Sequence, residues 1–112
     1  MGVMVETWVV KDPALSEERD EFFMKWFHHV VSRLGKSSPP HRYYDQSDPA
    51  GGRCLMVEFE SREKMDEVMN PLRKDETFMK FSQEFLAKYV DEPPKVMFWQ
   101  DLKREEIDNT LN

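Results

Sequence analysis

The chain contains only one cysteine and three histidines among its 112 residues. The single cysteine, Cys54, excludes an intrachain disulfide framework and is typical of a protein of the reducing cytoplasm. No apolar run approaches the ~20 residues that a membrane-spanning helix requires, so no membrane partner is predicted. Acidic residues outnumber basic ones by 22 to 16, and the net charge of −6 argues against general nucleic-acid binding.

What the sequence does contain is typical of a globular protein. Apolar residues make up 39% and charged residues 34%, a balance that excludes a disordered chain. The length fits one domain, which we assign to residues 1–102, followed by a polar tail at 103–112. Eight methionines suggest adaptable packing around an irregular core or pocket.

The order of predicted elements indicates an α+β protein. Strands are expected at residues 3–10, 41–46, 53–60 and 95–102, and helices at 16–34, 61–70 and 75–90. Gly35 is expected to end the first helix, and Asn70-Pro71 to interrupt the second. The resulting order β-α-β-β-α-β predicts a ferredoxin-like fold, with a four-stranded antiparallel sheet and helices on one face.

The first strand alternates between two sets of side chains, and neither set is polar throughout. One set is Val3, Val5, Thr7 and Val9, and the other is Met4, Glu6, Trp8 and Val10. The sheet would therefore expose apolar side chains on the face away from the helices, which favours a partner. We expect a homodimer through that face, with Trp8, Met56 and Trp99 in the interface. The alternative is that the C-terminal tail covers it.

Two stretches carry a resemblance to a known group: VMVETWVV at the first strand and MVEFESREKMDEVMNPLRKDETFMKF in the second half. In the latter, a strand ends in aromatic-x-Ser, and an amphipathic turn, a proline and a phenylalanine-bearing helix follow. With the element order, these features resemble the dimeric α+β barrel superfamily over residues 3–102. That superfamily includes antibiotic-biosynthesis monooxygenases and heme-degrading monooxygenases.

The resemblance implies a homodimer whose sheets face each other and a ligand pocket between sheet and helices in each protomer. The heme-degrading branch uses an asparagine on the first strand, and a tryptophan and a histidine in the first and second parts of the second helix. This sequence has Thr7 near the asparagine position, no tryptophan in residues 65–69 and no histidine in residues 78–89. Heme degradation by that mechanism is therefore not predicted.

The adjacent histidines His28 and His29 are the first candidates for chemistry. At about 100° per residue, His28 falls on the solvent side of the helix and His29 at the edge of the apolar stripe. Residues one turn away offer neither histidine a good second ligand, so no metal site is predicted. His29 stays a candidate acid or base at a pocket edge, because imidazole titrates near neutrality.

Glu6 and Glu58 form a second candidate pair. If the first and third strands pair, both carboxylates are expected on the face opposite the helices, where two such groups could divide acid and base roles. The other interpretation, which we favour, is a salt bridge or simple exposure. Cys54 is interpreted as a small buried apolar group.

The expected pocket lies between the sheet and the helices, and apolar walls there would suit a flat hydrophobic molecule. Thr7 is the lone polar group of its set and could orient a ligand by one hydrogen bond. The candidate residues are Thr7, Trp26, His29, Met69, Phe81 and Phe85. No catalytic residue and no cofactor is assigned.

Three classes of function stay open. The first is a cofactor-independent, monooxygenase-like enzyme acting on an aromatic small molecule. The second is a non-catalytic binder of a small apolar molecule, and the third is a structural or stress-related dimer module. The sequence offers no convergent polar triad, which weighs against the enzyme.

Overall fold

A computed structural model describes residues 1–35 and 38–102 of the chain. The predicted order of elements is confirmed. The strands are β1 (Gly2–Val9), β2 (His41–Ser47), β3 (Ala50–Phe59) and β4 (Lys95–Gln100). The helices are α1 (Ser16–Leu34), α2 (Arg62–Arg73) and α3 (Glu76–Lys88). The tail predicted at 103–112 lies outside the described residues, as do residues 36 and 37 of the expected loop.

The four strands form one antiparallel sheet in the order β2-β3-β1-β4. The predicted central position of β1 and its antiparallel pairing with β3 are confirmed, so the fold is ferredoxin-like. In the register, Glu6 lies opposite Leu55 of β3 and Val96 of β4. The backbone of β1 is therefore paired on both sides, which fixes its position in the sheet.

Local signals at both ends define α1. The preceding 3₁₀ turn, Pro13–Leu15, is capped by the side chain of Asp12, and two glutamates occupy the first turn of the helix. Negative charge there favours the positive end of the helix dipole. At the other end, Gly35 has φ of 57°, a left-handed conformation that glycine adopts without strain. The predicted helix bounds and the stop at Gly35 are confirmed.

The predicted interruption at Asn70-Pro71 is wrong, because α2 continues through Pro71 to Arg73. Pro71 lacks the N–H that would bond the carbonyl four residues before it, yet the helix completes its last turn. The N–H groups of Lys74 and Asp75 bond the carbonyls of Pro71 and Leu72 at 3.3 and 3.0 Å, and the side chain of Leu72 is buried. The chain turns at Lys74 and begins α3 after Asp75, whose side chain accepts a hydrogen bond from the Phe78 N–H at 2.9 Å. Ser61 caps α2 in the same way, as predicted.

The faces of β1 are the reverse of those expected. Met4 and Trp8 pack into the core beneath the helices, and Glu6 lies between them on the same face. Thr7 therefore points to the opposite, outer face of the sheet. The predicted outward placement of Trp8 is wrong: its side chain is only 5% exposed. Burying the large indole lowers the free energy of the folded state more than burying a valine does. Because side chains two apart in a strand share a face, Glu6 then faces the core as well.

Aromatic rings dominate the core between the sheet and α1 and α3. Trp8 lies 4.9 Å from Phe23 of α1 and 5.5 Å from Phe85 of α3, measured between ring centroids. Tyr43 of β2 stacks on Phe23 at 4.6 Å. These spacings are those of favourable aromatic pairs. They pack α1 and α3 against the sheet.

Candidate functional site

A cavity of about 250 Å³ lies between the sheet, the C-terminal half of α1, and α2. Its walls are mostly apolar. The sheet contributes Met4, Glu6, Leu55, Val57, Phe59 and Val96, and the helices contribute Phe23, Trp26, Phe27, Val30, Val31, Leu34, Val68, Met69, Arg73, Phe78 and Ser82. Ser38, Pro39 and His41 complete it between α1 and β2. An apolar concave site with a few polar groups is the usual form of a small-molecule pocket.

Glu6 provides the carboxyl group of the cavity wall. It lies on the central strand, between Met4 and Trp8, and its side chain is partly buried. Burial raises the pKa of Glu6 from its ordinary value of 4.5 to about 7, because the low-dielectric surroundings disfavour the charged form. No hydrogen bond from a described residue offsets this effect. The carboxyl group is thus balanced between its neutral and ionised forms near neutral pH.

Arg73 brings the second charge to the cavity wall. It lies at the end of α2, and its side chain is 52% exposed. Its Nη1 donates a hydrogen bond to Asn70 Oδ1 at 2.9 Å and lies 3.8 Å from Asp66 Oδ1. Among the described cavity residues, Glu6 is the one carboxylic acid and Arg73 the one guanidinium. His41, Ser82 and Ser38 add weaker polar groups.

Of the pocket residues predicted from the sequence, the cavity brings together Trp26 and Met69. Thr7 lies on the outer face, opposite Cys54 of β3, and its predicted place in the pocket is wrong. Phe85 lies behind the wall, fully enclosed and 5.5 Å from the Trp26 ring. Phe81 packs on Phe22 of α1 at 5.4 Å, away from the cavity. The structure thus separates the predicted set into wall, core and outer-face residues.

His29 also lies apart from the cavity wall, in a cluster that joins α1 to α3. Its Nε2 is 3.1 Å from Asp75 Oδ1, and the Nε of Arg33 is 3.2 Å from Asp75 Oδ2. The hydrogen bond from the Phe78 N–H, and then that from His29, lower the pKa of Asp75. His29 therefore serves an interhelical contact rather than the expected pocket edge, while His28 is exposed as predicted.

A second polar cluster ties α1 to β2 and β3 on the far side of the aromatic core. Arg53 donates to Asp20 through Nε at 3.2 Å and through Nη2 at 3.1 Å, and it also pairs with Asp45. Tyr43 donates its hydroxyl to Asp20 at 3.2 Å. Burial alone would raise the pKa of Asp20, but the hydrogen bond from Arg53 and the neighbouring arginine charges lower it overall. The cluster is engaged with its own partners and has a structural role.

The outer face of the sheet carries several exposed apolar side chains. Trp99 is 61% exposed, and Met97 and Tyr44 are also exposed. Met56 is half-buried on the same face, opposite Val5 of β1. Met56 and Trp99 thus lie on the face predicted for them, whereas Trp8 does not. Glu58 is exposed on this face and is separated by the sheet from Glu6, so the two do not form a pair.

Glu6 is the cavity residue that the sequence reasoning placed on the wrong face of the sheet. The sequence does contain a signal for it: a lone glutamate between Met4 and Trp8, the two bulkiest apolar residues of the strand. Such a residue shares their face by strand alternation. The apolar spacing of Phe23, Phe27 and Val30 on α1 similarly indicates a continuous wall one turn after another.

Two further features, a cluster of metal ligands and a membrane-spanning helix, are both absent from the described part of the chain. Within residues 1–35 and 38–102, no group of three or more His, Cys, Asp or Glu side chains is arranged to hold a metal ion. No helix in these two segments is long and apolar enough to cross a membrane.

Comparison with known proteins identifies the fold. No protein-family model matches the sequence, and no curated protein matches it significantly. Solved structures do match over nearly the whole chain. A NIPSNAP domain protein from Burkholderia xenovorans has a TM-score of 0.73 and 10% identity, covering 93% of this chain and 97% of its own. A NIPSNAP family protein from Agrobacterium tumefaciens has a TM-score of 0.71 and 12% identity, covering 92% and 87%.

A third match is an antibiotic biosynthesis monooxygenase, with a TM-score of 0.60 and 16% identity over 92% of this chain and all of its own, 100%. The TM-scores establish a common fold, and sequence identities this low do not extend it to a common activity. The resemblance predicted from the sequence is therefore confirmed at that level: the chain has the ferredoxin-like fold of the antibiotic-biosynthesis-monooxygenase-like and NIPSNAP proteins.

Proposed function

We propose that this protein is a cofactor-independent, monooxygenase-like enzyme that binds a small aromatic molecule in the cavity and uses Glu6 as its proton acceptor. The observation that carries the proposal is the partly buried carboxyl of Glu6, the one acidic group among the described residues of a mostly apolar wall, with a pKa of about 7. A general base works best when its pKa is close to the working pH. Apolar walls exclude water from the reacting groups, which strengthens electrostatic interactions inside.

The chemistry suits an aromatic hydroxyl compound such as a naphthol. Ionised Glu6 takes the hydroxyl proton, and the aryl oxide that forms is electron-rich enough to transfer one electron to dioxygen. The aryloxyl radical and superoxide then combine at a ring carbon, and the proton held by Glu6 passes to the peroxide oxygen, which gives a hydroperoxide and restores ionised Glu6. Loss of water from that hydroperoxide gives a quinone, so one naphthol and one dioxygen yield one quinone and one water. The substrate supplies all the electrons.

Oxygen uptake by the purified protein tests this proposal. A panel of naphthols and quinols is supplied with no added metal or flavin, and Glu6→Gln is compared with Glu58→Gln. Glu58 is a matched control, because it is a glutamate of the same sheet on the exposed outer face. We expect Glu6→Gln to lower the rate by 10²-fold or more, roughly the contribution of a general base, and Glu58→Gln to leave it unchanged. Equal rates in all three proteins would contradict the role of Glu6.

A non-catalytic binder is the alternative, and the same cavity supports it. Apart from Glu6 and Arg73 the wall offers only His41 and two serines as polar groups, which is sparse for catalysis and sufficient for binding. Saturable binding by calorimetry without oxygen uptake, in wild type and Glu6→Gln alike, would favour the binder. Absence of both binding and uptake would leave only the structural dimer module.

The proposal includes a homodimer through the outer face of the sheet. Trp99 and Met97 of β4, with Tyr44 of β2, expose apolar area there that a second copy would cover. A tryptophan can bury on the order of 200 Å² and often anchors an interface. The proposal also includes a cytoplasmic location, which rests on the single cysteine of the sequence.

A further inference from the structure

We propose that the ligand of the cavity is an aromatic acid, whose hydroxyl faces Glu6 and whose carboxylate is held by Arg73. This inference rests on the proposed function, since it names the substrate class of the same site. The two charged groups stand on different walls, Glu6 on the central strand of the sheet and Arg73 at the end of α2. A ligand that satisfies both must therefore be polar at two places and apolar between them.

Arg73 has donors available for such a ligand. Both of its contacts use Nη1, and the Asp66 contact of 3.8 Å is longer than the ~2.7–2.9 Å of a charge-assisted hydrogen bond. Nε and Nη2 make no hydrogen bond to a described residue. These two N–H groups form the fork with which arginine binds a carboxylate through two parallel hydrogen bonds.

The exposure of the two residues orients the ligand. Arg73 is half exposed, whereas Glu6 is partly buried within the sheet wall. An ionised carboxylate is costly to bury without a partner, so it belongs at the solvent side, beside the arginine. A weakly acidic hydroxyl costs less to bury and belongs at Glu6. The apolar side chains of the cavity wall, which include Trp26, Val68 and Met69, would contact the ring system.

The size of the cavity limits the ring system. Its volume of about 250 Å³ is just below the ~300–1,000 Å³ typical of sites for drug-sized ligands. One or two fused aromatic rings suit such a site, and larger polycyclic compounds do not. A hydroxynaphthoic acid with its two substituents on different rings has a hydroxyl for Glu6, a carboxylate for Arg73 and a ring system of suitable size between them.

Calorimetric titration at pH 7 with two matched probes tests the inference. The probes are 6-hydroxy-2-naphthoic acid and 2-naphthol, which share the ring system and hydroxyl and differ by the carboxylate. The variants are Arg73→Gln, Arg73→Lys and the control Arg62→Gln, which changes an arginine at the other end of α2 that does not line the cavity.

We expect wild type to bind the acid about fivefold more tightly than 2-naphthol, as one half-exposed ion pair allows. Arg73→Gln should abolish this preference and leave 2-naphthol binding unchanged. Arg73→Lys should restore part of it, and Arg62→Gln should behave as wild type. Equal affinities for both probes in wild type would overturn the inference while leaving the proposed function intact. Loss of binding of both probes in Arg73→Gln would also overturn the inference. If wild type bound neither probe, the inference and the proposed function would both be refuted.

Discussion

His29 and Asp75 join the long helix α1 to the start of α3 through a contact of 3.1 Å between Nε2 and Oδ1. The same carboxylate caps α3 by accepting from the Phe78 N–H, and it pairs with Arg33. One side chain therefore begins one helix and fixes its position against another. Because Phe78 and Trp26 of these helices both line the cavity, the contact also maintains the helix side of its wall.

We predict that Asp75→Ala and Asp75→Asn separate these two roles. Asparagine can still cap α3 but loses the ionic contacts, whereas alanine loses both. The melting temperature should therefore fall in the order wild type, Asp75→Asn, Asp75→Ala, as measured by circular dichroism. Because the folded-state pKa of Asp75 lies below its ordinary value of 3.8, the ionic contribution is present above that pH and is lost as pH falls below it. Wild type and Asp75→Asn should then converge in acid; a constant gap down to the lowest pH would contradict this account.

The stability of the protein should fall as the pH rises through the range in which Glu6 ionises. The folded-state pKa of about 7 lies above the ordinary value of 4.5, so the folded state holds this proton more tightly than the unfolded chain does. The penalty is absent below pH 4.5, grows between the two values, and is complete above pH 7. The penalty is about 2–3 kcal/mol, a figure that already allows for the partial burial of the side chain.

Urea unfolding at a series of pH values measures this effect. Glu6→Gln should equal wild type in stability near pH 5 and exceed it by about 2–3 kcal/mol at pH 8, since the amide does not ionise. Glu58→Gln, on the exposed face, should follow wild type throughout. A Glu6→Gln variant less stable than wild type at pH 8 would show that the carboxylate has a stabilising partner.

Substitution of the tryptophans of β1 and β4 should affect different properties, the stability of the protomer for Trp8 and the formation of a dimer for Trp99. Trp8→Ala removes a buried core ring and should lower the free energy of unfolding by about 3–5 kcal/mol. Trp99→Ala removes an exposed ring and should change the stability of the protomer by less than about 0.5 kcal/mol. If the outer face forms a dimer, Trp99→Ala should raise its dissociation constant by about 30-fold. Analytical ultracentrifugation measures this, and a wild type that is monomeric at micromolar concentration would refute the dimer.

Filling the cavity should abolish ligand binding without unfolding the protein. Val68 of α2 lines the cavity and is half-buried, so Val68→Phe would extend a ring into its volume. We expect binding of 2-naphthol to weaken by at least tenfold, with a loss of stability of no more than about 1–3 kcal/mol. Leu86→Phe enlarges an exposed side chain of α3 outside the cavity and serves as the control. Undiminished binding by Val68→Phe would place the ligand elsewhere.

The order of elements could be predicted from the sequence because its signals are local. Gly35 ends α1, Ser61 caps α2, and the alternation of β-branched residues marks the strands. Pro71 is misleading because a proline removes one hydrogen bond of a helix but does not by itself end it. The buried side chain of Leu72 follows Pro71 in α2, and such tertiary packing decides where the helix ends.

The site could be predicted only in part, because the faces of β1 are decided by packing rather than by pattern. Both sets of the strand are apolar, and each contains one polar residue, Thr7 or Glu6. A carboxylate is more costly to bury than a hydroxyl, so the sequence alone favours Glu6 outward. The packing of Trp8 against Phe23 and Phe85 reverses that choice. Glu6 is therefore buried because Trp8, two residues later on the same face of the strand, packs into the core.

The pairing of β1 on both sides has a consequence for how the protein can change over evolutionary time. Glu6 is attached to a backbone held between two neighbouring strands, and its position can hardly shift. The opposite wall belongs to helices whose side chains can be exchanged without disturbing that ladder. Substitutions at Val30, Val68 or Met69 could thus diversify the range of ligands while the acidic group stays in place. In the proposed function, the sheet thus holds the proton acceptor in place, and substitutions in the helices would change the ligand.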